Sequence, residues 1–211
     1  MKSPDRPIRV YRFPLSGHSH RVELFLSLAG LRYELVDVDL PNGAHKAPDF
    51  LTKNPFGQVP VIEDGDTVLA DSNAILVYLA TRYDTARHWL PTDPVAAAHV
   101  QQWLSVSAGQ LASGPNAARL AKVFGGALDH ARAVAIATEL FGVLDRHLAT
   151  RRFLVNDAPT ISDVAVYTYT AAAPEGGIAL EPYRNVRAWL TRFEALPGFV
   201  PMRRAPLAAA A

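Results

Sequence analysis

The chain has 211 residues and a formal net charge of +1, from 21 Lys+Arg against 20 Asp+Glu, with 49% hydrophobic residues. That length suits one large domain or two small ones with a sizeable core, and the balanced charge argues against a nucleic-acid partner. The absence of cysteine removes disulfides, thiolate metal sites and cysteine nucleophiles, and fits a reducing compartment such as the cytoplasm. The charged, proline-bearing start Met1–Pro7 is unlike a signal peptide, and no apolar run reaches the roughly 18 residues that cross a bilayer, so no membrane partner is expected.

The elements can be read in chain order. Ile8–Phe13 alternates like a strand and ends at Pro14. Val22, Phe25, Leu26 and Ala29 form a helix stripe, with Gly30 where a helix-ending glycine belongs. Tyr33–Val38 is a second strand, so this opening predicts a parallel βαβ unit. The runs Val59–Ile62 and Thr67–Ala70 flank Glu63-Asp64-Gly65-Asp66 and predict a hairpin. Asp71-Ser72 then opens a helix carrying Ile75, Leu76, Leu79 and Tyr83. Beyond it the composition changes. Six alanines lie in residues 1–85 and 28 in residues 86–211, which predicts an all-helical second part. Asp93-Pro94 should start a helix running through Val100, Trp103, Leu104, Ser107 and Leu111. Further helices are expected over Ala127–Ala149, after the capping-box spacing Thr160–Asp163, and through Val186, Trp189, Leu190 and Phe193. The terminal Ala208–Ala211 reads as a frayed end. The expected domains are 1–85 and 92–211.

Three places in the first part suggest chemistry. Ser16, in the loop Pro14–Ser19, stands where a hydroxyl either caps the next helix or helps hold an anion at its positive end. Gly57-Gln58-Val59-Pro60 places a proline at the start of a strand, where it cannot donate to the ladder. Asp71-Ser72 is either a helix cap or a pair that takes a carboxylate and an ammonium, the two charges of an α-amino acid. His18 and His20 have no third ligand at metal-binding spacing, so they read as ordinary loop histidines and no metal is expected. Trp103, Trp189, Tyr167 and Tyr169 read as core.

Taken together, Asn54-Pro55-Phe56-Gly57-Gln58-Val59-Pro60, Asp71-Ser72-Asn73-Ala74-Ile75 and Pro159-Thr160-Ile161-Ser162-Asp163-Val164-Ala165 resemble the cytosolic glutathione transferase superfamily, of the bacterial serine type. The resemblance covers residues 8–200. It implies a thioredoxin-like N-terminal α/β domain followed by an all-helical C-terminal domain, in a homodimer. It implies glutathione as cosubstrate and transfer of its thiolate to a small, apolar electrophile. By the same resemblance Ser16 is the catalytic serine of theta, delta and zeta-like enzymes. Val59, before a cis proline, would pair through its backbone with the cysteinyl part of glutathione. Asp71 and Ser72 would hold the γ-glutamyl end, Gln58 would touch the tripeptide and His45 would reach its glycine end. Leu15, Leu111 and Asn116 would line the second-substrate pocket, with the small residues Gly109, Ala112, Ser113 and Gly114 leaving room. Thr160 and Asp163 would be structural. Tyr11 is the rival to Ser16, because tyrosine-type members carry their hydroxyl near that position. The loop lacks the cysteine of omega- and beta-like members and the cysteine and tryptophan of the zeta class. Two other functions share this pattern: a glutathione-dependent disulfide reductase, peroxidase or isomerase, and a non-catalytic interaction protein.

Overall fold

In the first strand, β1 (Ile8–Arg12), Ile8 and Val10 point to one face of the sheet and Tyr11 to the other. A computed structural model describes residues 1–205; the run Ala208–Ala211 lies outside the described residues. Helix α1 (Gly17–Leu28) follows and returns the chain to β2 (Tyr33–Asp37), which lies parallel to β1 with Ile8 opposite Tyr33. A short 3-10 turn (Ala44–Lys46) and one helical turn, α2 (Pro48–Leu51), lead to the hairpin β3 (Val61–Asp64) and β4 (Thr67–Ala70). Gly65 takes φ +58° in the two-residue connection, a conformation open to glycine at little cost. The third strand therefore starts two residues later than the sequence pattern suggests. Pro60 stands just outside it, where its missing N–H breaks no ladder bond.

The strand order is β2-β1-β3-β4, with β3 antiparallel to both its neighbours. Helices α1 and α3 (Ser72–Tyr83) cover one face through Val22, Phe25, Ile75, Leu76 and Leu79. On the other face Tyr11, Val38, Phe50 and Val61 form a small cluster under α2. This is a thioredoxin-like arrangement.

Among its described residues the second part is built of helices and connecting turns, with no strand. Helix α4 (Pro94–Ala108) is capped by Asp93, which accepts from the Ala96 N–H at 2.8 Å. It does not run on regularly through Leu111. The ladder breaks at Gly109 and widens into a π turn over Ala112–Asn116, before α5 (Ala117–Phe124), a helix the apolar pattern did not predict. Pro115 has no N–H and its ring opposes the preceding turn, which favours the wider ladder. Gly114 is a packing residue. A Cβ there would sit 2.9 Å from the Ala137 nitrogen in α6 (His130–Leu148).

Helix α7 (Ile161–Ala171) runs through the centre and α8 (Arg184–Glu194) closes the bundle. The capping box of α7 is formed. Asp163 accepts from the Thr160 N–H at 2.9 Å, and also from the Leu154 N–H and the Trp189 indole N–H at 3.0 Å each. Trp103, Tyr167, Tyr169 and Trp189 are all buried, as their helical spacing suggested. No described helix is long and apolar enough to cross a membrane.

Candidate active site between the two domains

The α/β part and the helical part meet along a cleft of about 1140 Å³. One wall is built from the start of α1 (Leu15, Ser16, His18), the segment from His45 to Pro60, and the β4–α3 junction (Ala70, Asp71, Ser72). The opposite wall carries Asn116, Arg119, Leu120, Phe124 and Tyr169. Ser16, His45, Gln58, Val59, Asp71, Ser72, Leu15 and Asn116 are thus brought together. Leu111 is not. It is fully buried in the core and lies outside the cleft, continuing the inward-facing stripe of Val100, Leu104 and Ser107. Gly109, Ala112, Ser113 and Gly114 also stand outside the cleft lining.

Ser16 precedes α1 in an extended conformation, and its Oγ accepts from the Ser19 N–H at 3.3 Å. It is therefore a cap, and a long one, on a residue that also lines the cleft. The two other hydroxyls near this loop point elsewhere. Tyr11 donates to the Glu63 carboxylate at 2.9 Å and packs edge-to-face on Phe50, on the other side of the sheet. Ser19 is fully buried and accepts from the Phe13 N–H at 3.3 Å. Gly17 lets α1 approach α7. A Cβ there would lie 2.5 Å from the Tyr169 ring, so any side chain would push Tyr169 off the cleft wall.

The loop before β3 is held by Asn54, whose Nδ2 donates to the Gln58 carbonyl at 2.8 Å and whose Oδ1 accepts from the Phe56 N–H at 3.1 Å. The Val59–Pro60 bond is cis. Lys46 donates to the Phe56 and Gly57 carbonyls at 3.1 and 3.0 Å, and neighbouring His45 keeps a buried Nδ1 with no hydrogen-bond partner.

Asp71 is a helix cap held at φ +70°. Its Oδ1 accepts from both the Asn73 and Ala74 N–H groups at 2.9 Å. The adjacent Ser72 is buried, and its Oγ accepts from Arg21 Nη1 at 2.9 Å. His18 Nδ1 lies 3.3 Å from the same Oγ. Burial, reinforced by the nearby Arg21 charge, lowers the His18 pKa to about 3, so this ring is neutral at pH 7. His20 points away. Its Nε2 donates to the Val200 carbonyl at 2.9 Å and its Nδ1 stands 3.1 Å from the Thr168 hydroxyl. The two histidines therefore serve different neighbours.

Arg21 and Arg119 escaped the sequence reading, while Tyr169 was read only as core and His18 as a loop histidine, although it lies in the first turn of α1 and lines the cleft. Arg119 is 1% exposed; its Nε donates to Glu175 at 2.8 Å and its Nη1 to the Leu15 carbonyl at 3.0 Å. Sequence alone treats an arginine as a surface residue, and only the tertiary fold reveals these as buried. A hint existed for Tyr169, which follows the capping box on the helix facing α1. Chemically, the cleft combines a hydroxyl at a helix start, an amino-acid-like cradle at Asp71-Ser72, and an apolar wall of Phe13, Leu15, Leu120, Phe124 and Tyr169.

Residues 6–81 match the glutathione S-transferase N-terminal domain and residues 127–197 the glutathione S-transferase C-terminal domain. The chain is 38% identical over 207 residues to glutathione S-transferase 3 of Zea mays, covering 92% of this chain and 91% of that protein. It is 31% identical over 193 residues to human glutathione S-transferase theta-2, covering 87% and 79%. A crystal structure of a glutathione S-transferase from Pseudomonas fluorescens superposes with a TM-score of 0.87 at 32% identity, covering 93% of this chain and 99% of that one. The chain belongs to the glutathione S-transferase family, a family of transferases.

Proposed function

We propose that this protein binds glutathione in the interdomain cleft and transfers its thiolate to a small, largely apolar electrophile. The observation that carries the reading is that Ser16 and the Asp71-Ser72 cradle line one cleft with an apolar wall opposite. In this reading the γ-glutamyl ammonium meets Asp71 and the neighbouring carboxylate meets Ser72 at the positive end of α3. The Val59 backbone pairs with the cysteinyl part, while Gln58 and His45 flank the rest of the tripeptide.

Ser16 then faces the sulfur. A thiol with a pKa of about 8.5 is only a few per cent ionised at neutral pH. Lowering that pKa by about 2 units requires about 2.7 kcal/mol. One hydroxyl hydrogen bond to a charged sulfur supplies about 1.5–3 kcal/mol, and the start of α1 adds about 0.3–1. The thiol proton leaves to solvent, and a sulfur–carbon bond forms as the electrophile either expels its leaving group with the bonding pair or shifts its π pair onto an atom that takes a proton from solvent. Leu15, Phe124, Leu120, Tyr169 and Asn116 would contact the second substrate.

A homodimer, a cytoplasmic location and a role in removing electrophiles belong to the same reading, drawn from the family. An apolar groove of about 860 Å³ between α3 and α4 supports the dimer. Retention on immobilised glutathione, followed by assays against electrophiles, peroxides and disulfides, tests the proposal. Turnover of electrophiles is expected. Turnover of peroxides or disulfides alone would transfer the site to a reductase, and no retention would remove glutathione.

A further inference from the structure

Arg21 is fully buried one layer beneath the cleft, on the inner side of α1. Its Nη1 donates to Ser72 Oγ at 2.9 Å and to Asn73 Oδ1 at 3.0 Å, and lies 3.4 Å from His18 Nδ1. Its Nε and Nη2 have no hydrogen-bond partner, and no carboxylate among the described residues forms an ion pair with it. Asp71 is close enough to raise the Arg21 pKa but forms no ion pair with it, so the buried guanidinium keeps unpaired donors, a costly arrangement that a ligand carboxylate would relieve. Burial lowers its pKa only to about 10, so it is a cation at neutral pH.

The chemistry of Ser72 follows from this contact. A hydroxyl whose oxygen accepts from a guanidinium has its own proton left to give, and hydrogen bonds in series polarise one another. That proton has two destinations: the neutral His18 Nδ1 at 3.3 Å, or a group in the cleft. A carboxylate is the stronger acceptor. At the start of α3 the Ser72 N–H is left for the same ligand, since Asp71 accepts from Asn73 and Ala74 through its side chain and from Ile75 through its carbonyl.

We propose that Arg21 is a positioning residue for carboxylate recognition: it fixes Ser72 Oγ as an acceptor, turns the hydroxyl proton toward the α-carboxylate of the γ-glutamyl end, and supplies the buried charge that this carboxylate balances. The inference rests on the glutathione reading. Arg21 also ties α1 to α3 and, through Asn73 Nδ2 on the Leu104 carbonyl at 3.1 Å, to α4. Its test must therefore separate recognition from scaffolding.

The separating probe is 4-aminobutanoyl-cysteinylglycine, which is glutathione without the γ-glutamyl carboxylate. Affinities of both tripeptides are measured by calorimetry for the full-length wild type, Arg21→Gln, Arg21→Lys and Ser72→Ala. Arg21→Gln is expected to lose about 10–100-fold in glutathione affinity, the worth of a hydrogen bond to a charged group, and to change little toward the analogue. Ser72→Ala should show the same selective loss, and Arg21→Lys, which keeps the charge but not the fork, an intermediate one. If Arg21→Gln fails to fold, the Lys variant carries the comparison: its loss must be larger for glutathione than for the analogue. Equal losses for both ligands, or unchanged glutathione affinity, would overturn the proposal while the wild type still binds glutathione. A wild type that ignores glutathione would overturn both this inference and the reading beneath it.

Discussion

Arg119 in α5 donates to the main-chain carbonyl of Leu15, the residue immediately before Ser16, at 3.0 Å. The two residues belong to different domains. The same guanidinium is anchored by Glu175, which Arg204 also approaches at 3.4 Å. A buried ion pair of the helical domain thus holds the loop that carries the candidate catalytic hydroxyl.

Removing that anchor is expected to hurt twice. Arg119→Met leaves the buried Glu175 only the exposed Arg204 at 3.4 Å and should cost about 2–4 kcal/mol of stability, a large share of what a domain has. It also frees the Leu15 carbonyl, so kcat should fall in whatever fraction remains folded. Urea unfolding alongside kcat at saturating glutathione checks both. Unchanged stability would show that the pair is not formed.

Asp71 has two roles that one substitution can separate. Asn caps a helix as well as Asp and tolerates positive φ, so Asp71→Asn should keep stability within about 0.5 kcal/mol. It removes the charge for the ammonium and should weaken glutathione binding by about tenfold or more. Calorimetry with unaltered affinity would take Asp71 out of the site.

Asp163 is expected to matter more than an ordinary cap. Asp163→Ala removes the acceptor for three buried donors, from Leu154, Thr160 and Trp189. Stranding buried donors costs about 1–3 kcal/mol each, so a loss of about 3 kcal/mol or more is expected, with Asp163→Asn milder. Denaturant midpoints for the two variants check this. An Ala variant as stable as wild type would show that these bonds contribute nothing.

Acid should unfold the protein partly through His20. Burial lowers its pKa from 6.5 to about 4, opposed by its bond to the Val200 carbonyl. The unfolded chain therefore takes the proton first. The stability from neutral His20 is complete above pH 6.5 and is lost as pH falls toward 4, at about 1.4 kcal/mol per unit. His18, lowered to about 3, acts in the same direction. Asp163 acts oppositely: burial raises its pKa from 3.8 to about 6, so its contribution falls as pH rises across that range. Comparing wild type with His20→Asn isolates the histidine, and the variant should lose less stability between neutral pH and about pH 5. Parallel curves would contradict the assignment.

Much of the fold was legible because periodicity reports which side of an element is buried. The alternation in Ile8–Phe13, the stripe Val22–Ala29 and the alanine shift after residue 85 each answer to a surface the structure buries. The same signal failed where geometry departs from a regular period. The break at Gly109 and the π turn over Ala112–Asn116 left α5 unseen. In the site, Ser16 and Asp71-Ser72 were visible because they sit at helix starts, where residue type is constrained. Arg21 and Arg119 were not. A buried arginine has the same letter as a surface one, and only contacts more than 50 residues away distinguish them.

The Ser16 hydroxyl is expected to stabilise the glutathione thiolate, and the rest of the proposed chemistry depends on it. Ultraviolet thiolate absorbance of the bound tripeptide, followed against pH in wild type and Ser16→Ala, tests it directly. The substitution should raise the bound thiol's pKa by about 1–2 units and cut turnover at neutral pH by roughly 10–100-fold. Activity should return in part at higher pH, where solvent ionises the thiol. A variant whose thiol titrates like the wild type's would contradict the account and leave Ser16 as a helix cap only.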